Sequence, residues 1–198
     1  MSTRAERLYT ADEYLALERA SDHRSEFVNG RICAMTGASI PHTVITGNIF
    51  GELRNRLRGG SCRAYVEGVR VKVRATGMYT YPDVVALCEP PEVEDALRDT
   101  LLNPAVIFEV LSPSTEAYDR GEKFEHYTHL SSLHEYILVS QDHVRIEKFV
   151  RQGEQWVFTA LSDPDGLLRI EALGCEIPVR EIYLDVDFPP VRRVRANG

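Results

Sequence analysis

The stretch "AVIFEVLSPSTEAYDRGEKFEHY", residues 105–127, sets Glu109 inside the apolar run "VIFEVL". An apolar run of that length, opened by Pro104, reads as a buried strand, and "STEAYDRGEKFEHYTHL" after it reads as a helix N-capped by Ser114 or Thr115. Along the strand Glu109 and Leu111 share one face while Val110 takes the other. A buried, unpaired carboxylate costs several kcal/mol, so Glu109 requires a partner, a metal or a task. On the helix, Asp119, Lys123 and Tyr127 recur every fourth residue and therefore share a face. Packed towards the strand end, that face would bring the Lys123 ammonium to Glu109. A second acid, Asp83, opens the apolar run "YPDVVALC", whose proline is tolerated only at the start of a strand.

Outward from this pair, local signals define the remaining elements. "YTADEYLALERA" begins with a capping box, Thr10 and Glu13, and predicts a short N-terminal helix. "SEFVNGRICAMTG" predicts a hairpin turning at Asn29-Gly30. Val44, Ile45, Ile49, Leu53 and Leu57 fall at helical spacing ahead of a Gly59-Gly60 stop. "CRAYVEGVRVKVR" reads as one half-buried strand, with Val69, Val71 and Val73 inward and Arg70, Lys72 and Arg74 outward. Residues 89–103 read as an acidic surface connection. "HEYILVS" is a strand, and "HVRIEKFVRQGEQWVFTAL" a hairpin turning near Gln152-Gly153. A turn at "DPDG", a strand near "GCEIPV" and a helical turn at "VREIYL" follow. The expected architecture is α/β (α+β), a sheet core with two or three helices in a single domain over 1–198, its core about 22–186 and 187–198 a loose tail.

Composition bounds the function. Of 198 residues, 43% are hydrophobic and 27% charged, as in ordinary globular proteins. No segment has the length of a membrane span, the first residues lack the apolar core of a signal peptide, and a cytoplasmic location is expected. Cys33, Cys62, Cys88 and Cys175 are scattered without a paired motif and read as reduced thiols. A net charge of −7 argues against nucleic-acid binding by global attraction. Between Arg54 and Arg74, however, seven basic residues face the single acid Glu67, and Arg70, Lys72 and Arg74 form a candidate phosphate-contacting strip. His126, His129 and His134 match no zinc spacing, "SPST" is better a turn and cap than a nucleophile, and neither a GxSxG elbow nor a glycine-rich phosphate loop is present.

Two acids meeting at one end of adjacent buried strands repel unless a cation lies between them, and hard oxygen ligands suit Mg²⁺ or Mn²⁺. With Lys123 they make a set suited to phosphodiester hydrolysis. "YPD", then "FEVLSPST", then "DRGEKFEHY", together with "EFVNGRI", "TGAS" and "EYILVS", resembles the restriction-endonuclease branch of the PD-(D/E)XK nuclease superfamily, the bacterial Uma type. The resemblance spans most of the chain. It implies a restriction-endonuclease-like core, a mixed twisted sheet flanked by helices, and a Mg²⁺-dependent DNA endonuclease, with Mn²⁺ as a substitute. Asp83 and Glu109 would bind metal, with the Val110 carbonyl a further ligand and Glu26 joining from the front of the fold. Leu111 occupies the superfamily lysine position, so Lys123 would supply the lysine from the following helix. Tyr127, Asp119 and, near the site entrance, His42 would support it. Ile137 and Gln141 stand where the branch shows an aromatic and an acid. Double-strand cutting would need two sites, hence a homodimer.

Each residue also has a plain structural role open to it. Asp83 can cap a strand, Glu109 can form a buried ion pair with Lys123 or an arginine, Lys123 can lie on a solvated helix face, and Tyr127 can simply pack. The corresponding alternatives are a catalytically inactive binding or scaffold protein of the same fold, or a metal-dependent hydrolase of another phosphate ester.

Overall fold

The computed structural model describes residues 7–188, so the expected loose tail lies from residue 189 outside the described residues. The chain opens with α1 (Ala11–Arg19), whose Thr10–Glu13 capping box forms as its sequence predicts. Strands β1 (Ser25–Val28) and β2 (Arg31–Ala34) make the hairpin, and Asn29 and Gly30 take the positive φ angles, 51° and 80°, of its tight turn. Helix α2 (Ile40–Arg56) follows, N-capped by Ser39.

Residues 62–74 depart from the expected single strand. Glu67 and Gly68 both adopt positive φ, 37° and 88°, and divide the run into β3 (Arg63–Val66) and β4 (Arg70–Val73), which join different sheets. Then come β5 (Met78–Thr80), β6 (Val84–Leu87) and the short β7 (Thr100–Leu101), which puts the end of the acidic connection into the interior: Thr100 to Asn103 are all buried. The decisive stretch forms β8 (Val106–Leu111), then α3 (Glu116–Arg120) and α4 (Glu122–Thr128), two short helices broken at Gly121 where one was expected. Thr115 is the N-cap residue. The hairpin of β10 (Ile146–Gln152) and β11 (Gln155–Leu161) follows β9 (Glu135–Ser140). The ribbon of β12 (Leu167–Ile170) and β13 (Cys175–Pro178) leads into α5 (Val179–Ile182).

A six-stranded sheet, order β11-β10-β9-β8-β6-β3, is mixed: β8 and β9 run parallel and the other neighbours antiparallel. A five-stranded sheet, β2-β1-β5-β4-β7, is mixed too. Alternation along β8 divides its side chains between two cores. Val106, Phe108 and Val110 pack with Ile45, Ile49 and Leu53 of α2 and with α5. Ile107 and Leu111 pack on the other face with β4, Tyr127 and Tyr136. Glu109 belongs to this second face, between the sheet and α3–α4, as the period-two reading required.

The expected reduced state of Cys62 and Cys88 is corrected: they form a disulfide. Arg63 pairs with Leu87 across β3 and β6, so the next register position sets Cys62 directly opposite Cys88. Cys175 is a free thiol. Among the described residues no helix is long and apolar enough to cross a membrane.

Candidate active site

β6 and β8 are antiparallel neighbours, so the start of β6 and the end of β8 meet at one edge of the sheet. Their pairing stops at Val84–Phe108, leaving Asp83 just beyond it. The Asp83 carboxylate takes the place of a strand partner by accepting the Val110 amide at 2.7 Å. His42, in the first turn of α2, brings Nε2 to within 3.3 Å of the same Asp83 oxygen. That first turn is positioned by Ser39, which accepts from the His42 amide at 3.2 Å and donates to Gln141.

Glu109 is 4% exposed and Lys123 6%, so both are genuinely interior charges. The Lys123 Nζ lies 3.2 Å from Glu109 Oε1, 3.1 Å from Glu26 Oε1 and 3.2 Å from Asp119 Oδ1. Tyr127 donates its hydroxyl to Glu109 Oε1 at 3.0 Å, and Thr80 donates to Glu26. The Asp119, Lys123 and Tyr127 face therefore lies towards the strand end although Gly121 interrupts the helix. Glu26 arrives from β1, so both sheets contribute. Glu26, His42, Asp83, Glu109, Val110 and Lys123 line a common cleft of about 1000 Å³. Tyr127 sits behind it, fully buried.

The charges are unbalanced. Burial pushes the Glu109 carboxyl well above its usual range, Lys123 opposes that rise, and the neighbouring carboxylates Asp119, Asp83 and Glu26 add to it. For Lys123 burial works against the charge, but Glu109 and Glu26 outweigh it and keep the ammonium protonated. Burial likewise disfavours charged His42, and Asp83 more than restores it. Three carboxylates, Glu26, Glu109 and Asp119, thus surround the Lys123 ammonium with Asp83 held nearby, an arrangement that retains a proton or recruits a further cation. Among the described residues no three Asp, Glu, His or Cys side chains are gathered as a ready metal-binding group; Lys123 sits among the carboxylates instead.

Three residues in or behind the cleft had no clear signal in the sequence. Thr80 lies on a three-residue strand too short for a periodic pattern. Tyr118 presents a buried hydroxyl without a hydrogen bond, its ring 5.6 Å from Lys123 Nζ. Gln141 is buried in the cleft as the Ser39 partner. Ser39 was missed too, although a serine just ahead of Ile40-Pro41 is a cap signal.

The strip of Arg70, Lys72 and Arg74 does not form. Arg70 is 2% exposed, bonded to Thr100 at 3.1 Å and Tyr81 at 3.0 Å and ion-paired with Asp99 at 2.8 Å. Lys72 is paired with Glu94. β4 lies between two strands of its sheet with α1 and the 89–103 connection over it, so only Arg74 remains exposed.

Comparison with known proteins points the same way. A family model described as "Uma2: Putative restriction endonuclease" matches residues 11–180. An uncharacterized protein of Synechocystis sp. (strain ATCC 27184 / PCC 6803 / Kazusa), slr1290, is 34% identical over 178 residues, covering 89% of this chain and 92% of the relative. A second from the same organism, sll1609, is 33% identical over 156 residues, covering 78% and 88%. The crystal structure of a nuclease described as "putative" and belonging to DUF820, from Anabaena variabilis ATCC 29413, matches with a TM-score of 0.72 at 17% identity, over 88% of this chain and 97% of that one. That likeness shows the fold, mixed sheets flanked by helices of the restriction-endonuclease-like kind. By a family match over most of its length, this chain belongs to the Uma2 family, the Uma-type branch described as restriction endonucleases.

Proposed function

We propose that the protein is a Mg²⁺-dependent endonuclease that hydrolyses phosphodiester bonds in DNA. The observation that carries the reading is the Lys123 ammonium within 3.2 Å of both Glu109 and Asp119, at the floor of a cleft that also holds Asp83. The donor set fits a hard divalent cation: Asp83, Glu109 and the Val110 carbonyl would hold it, and Glu26 would support the shell. The crowding of carboxylates around Lys123 supports such a cation, since a bound ion would relieve the repulsion from Asp119, Asp83 and Glu26 that, with burial, raises the Glu109 carboxyl. When bound, the ion neutralises charge on the phosphate and acidifies the attacking water.

The chain's own residues then have distinct tasks. Lys123 orients or polarises the water and offers its charge to the phosphate as negative charge grows in the transition state. Asp119 fixes the ammonium, Tyr127 steers Glu109 through its hydroxyl, and His42 braces Asp83. A homodimer would supply the two sites that a double-strand cut requires.

Calorimetry with Mn²⁺ tests the site directly. Wild type is expected to bind and both Asp83→Asn and Glu109→Gln to lose binding, with cleavage of supercoiled plasmid lost in Lys123→Ala. One observation favours a second reading, an inactive binding protein of the same fold: the Glu109 oxygen already has both Tyr127 and Lys123 as partners. Absence of Mn²⁺ binding up to millimolar concentration, with and without DNA, would select that reading.

A further inference from the structure

One face of α2 serves neither the fold nor the cleft. Gly47, Gly51 and Arg54 follow at steps of four and three residues and share a side of the helix; Arg58 continues the line just past the C-cap Leu57. A Cβ on Gly47 or Gly51 would meet no atom within 4 Å, so neither glycine makes room for another part of this chain. Each nevertheless weakens the helix relative to alanine. Glu52, the one acid on α2, pairs with Arg56. Arg54 and Arg58 therefore repel each other across one turn, with no carboxylate partner among the described residues.

Arg63 joins them, its guanidinium folded onto the carbonyls of Gly60 at 2.8 Å and Cys62 at 2.9 Å. The three arginines, with Phe50 and the Gly59-Gly60 turn, line a concavity of about 600 Å³. The helix dipole favours cations at a C-terminus and accounts for their presence. It accounts for neither the bare glycine face nor the concave shape.

We propose that this side of α2 is a track for the sugar–phosphate backbone of duplex DNA. The backbone lies against Gly47 and Gly51, and its phosphates are held by Arg54, Arg58 and Arg63. This rests on the endonuclease reading and extends it to the path of the substrate. α2 begins at the cleft, where His42 meets Asp83, and Arg54 lies roughly 18 Å further along the helix at 1.5 Å per residue. That distance is about five base-pair steps of a duplex leaving the cleft. On a chain of net charge −7 such a local cluster fixes a path that global attraction does not provide.

The test is fluorescence anisotropy of a labelled duplex with the full chain, across a salt series, in EDTA and again in Ca²⁺. The double variant Arg54→Gln/Arg58→Gln should bind about tenfold or more weakly, and its log–log salt slope should be shallower by about two. Its melting temperature and Mn²⁺ binding should match wild type. Gly51→Leu should weaken duplex binding while leaving Mn²⁺ binding intact. Equal affinity and slope in the double variant, alongside wild-type DNA cleavage, overturns the track and leaves the endonuclease reading standing. Failure of wild type to bind DNA in either condition overturns both. Arginine-dependent binding of ATP without arginine-dependent duplex binding would identify a free-nucleotide site and likewise overturn the track.

Discussion

Glu109 can stay buried because Lys123 stands against it, and Lys123 has Glu26 and Asp119 besides. Removing the ammonium would leave Glu26, Glu109 and Asp119 facing one another in the interior, so Lys123→Met should destabilise the protein by about 3–5 kcal/mol. Glu109→Gln acts in the opposite direction. It keeps the shape, removes one buried charge from an over-acidic cluster and leaves Lys123 with Glu26 and Asp119. The melting midpoint in urea should therefore rise, by on the order of 1 kcal/mol of stability, while Mn²⁺ binding is lost. A fall in the midpoint would show that the Glu109–Lys123 pair, and not a cation requirement, keeps Glu109 in place.

Two elements bear on stability away from the cleft. Arg19 at the end of α1 ties down the 89–103 connection through Asp95 at 2.7 Å and Asp99 at 3.0 Å. Hydrogen bonds from Arg19 hold the Asp99 carboxyl well below the usual carboxylate range, with Thr100 and Arg70 adding to the effect. A folded value depressed below the unfolded one contributes stability that is present above about pH 4 and is lost as pH falls towards the folded value. Arg19→Gln should accordingly flatten the acid limb of a stability–pH curve below about pH 4, with little change in the slope near neutrality. On α2, Leu53 is wholly buried, and Leu53→Ala should cost about 2–5 kcal/mol in denaturant titration. On its outer face, Gly47→Ala and Gly51→Ala should each stabilise the helix by up to about 1 kcal/mol, because the added methyl meets nothing.

For the molecule as a whole, the two sheets close over a cleft to which β1, β6, β8, α2 and α3–α4 all contribute. On the proposed endonuclease reading, cleavage should stop in EDTA and return with Mg²⁺ or Mn²⁺. If two copies act together, supercoiled plasmid should appear directly as linear product on a gel. Accumulation of nicked circles would show that one site works alone. On the proposed track along α2, DNA binding should weaken steeply with salt despite the acidic net charge, because local arginine contacts rather than overall attraction would hold the duplex.

Features set by neighbours in the chain are legible in the sequence. The Thr10–Glu13 capping box, the Asn29-Gly30 turn, the two faces of β8 and the common face of Asp119, Lys123 and Tyr127 each depend on spacing over a few residues. The acid in "VIFEVL" also announced that a partner must exist, because its desolvation has to be offset somewhere. What that partner is, and what surrounds it, depends on chain segments far apart in sequence. Glu26 and Lys123 meet across 97 positions of chain only because β1 and α4 converge on one cleft. The same long-range packing overrode local patterns. Arg70 alternated like a solvent-facing residue, yet the 89–103 connection reaches it with Asp99 and Thr100, and Tyr81, just after β5, adds a third partner. Cys62 and Cys88 carried no pairing signal until the register of β3 with β6 set them opposite each other. Sequence by itself determined most of the elements and the need for compensation at Glu109, since both follow from local periodicity and the cost of burying charge. Tertiary structure alone decided which charges provide that compensation and which arginines stay available, since exposure and partnership are properties of packed surfaces rather than of neighbouring residues.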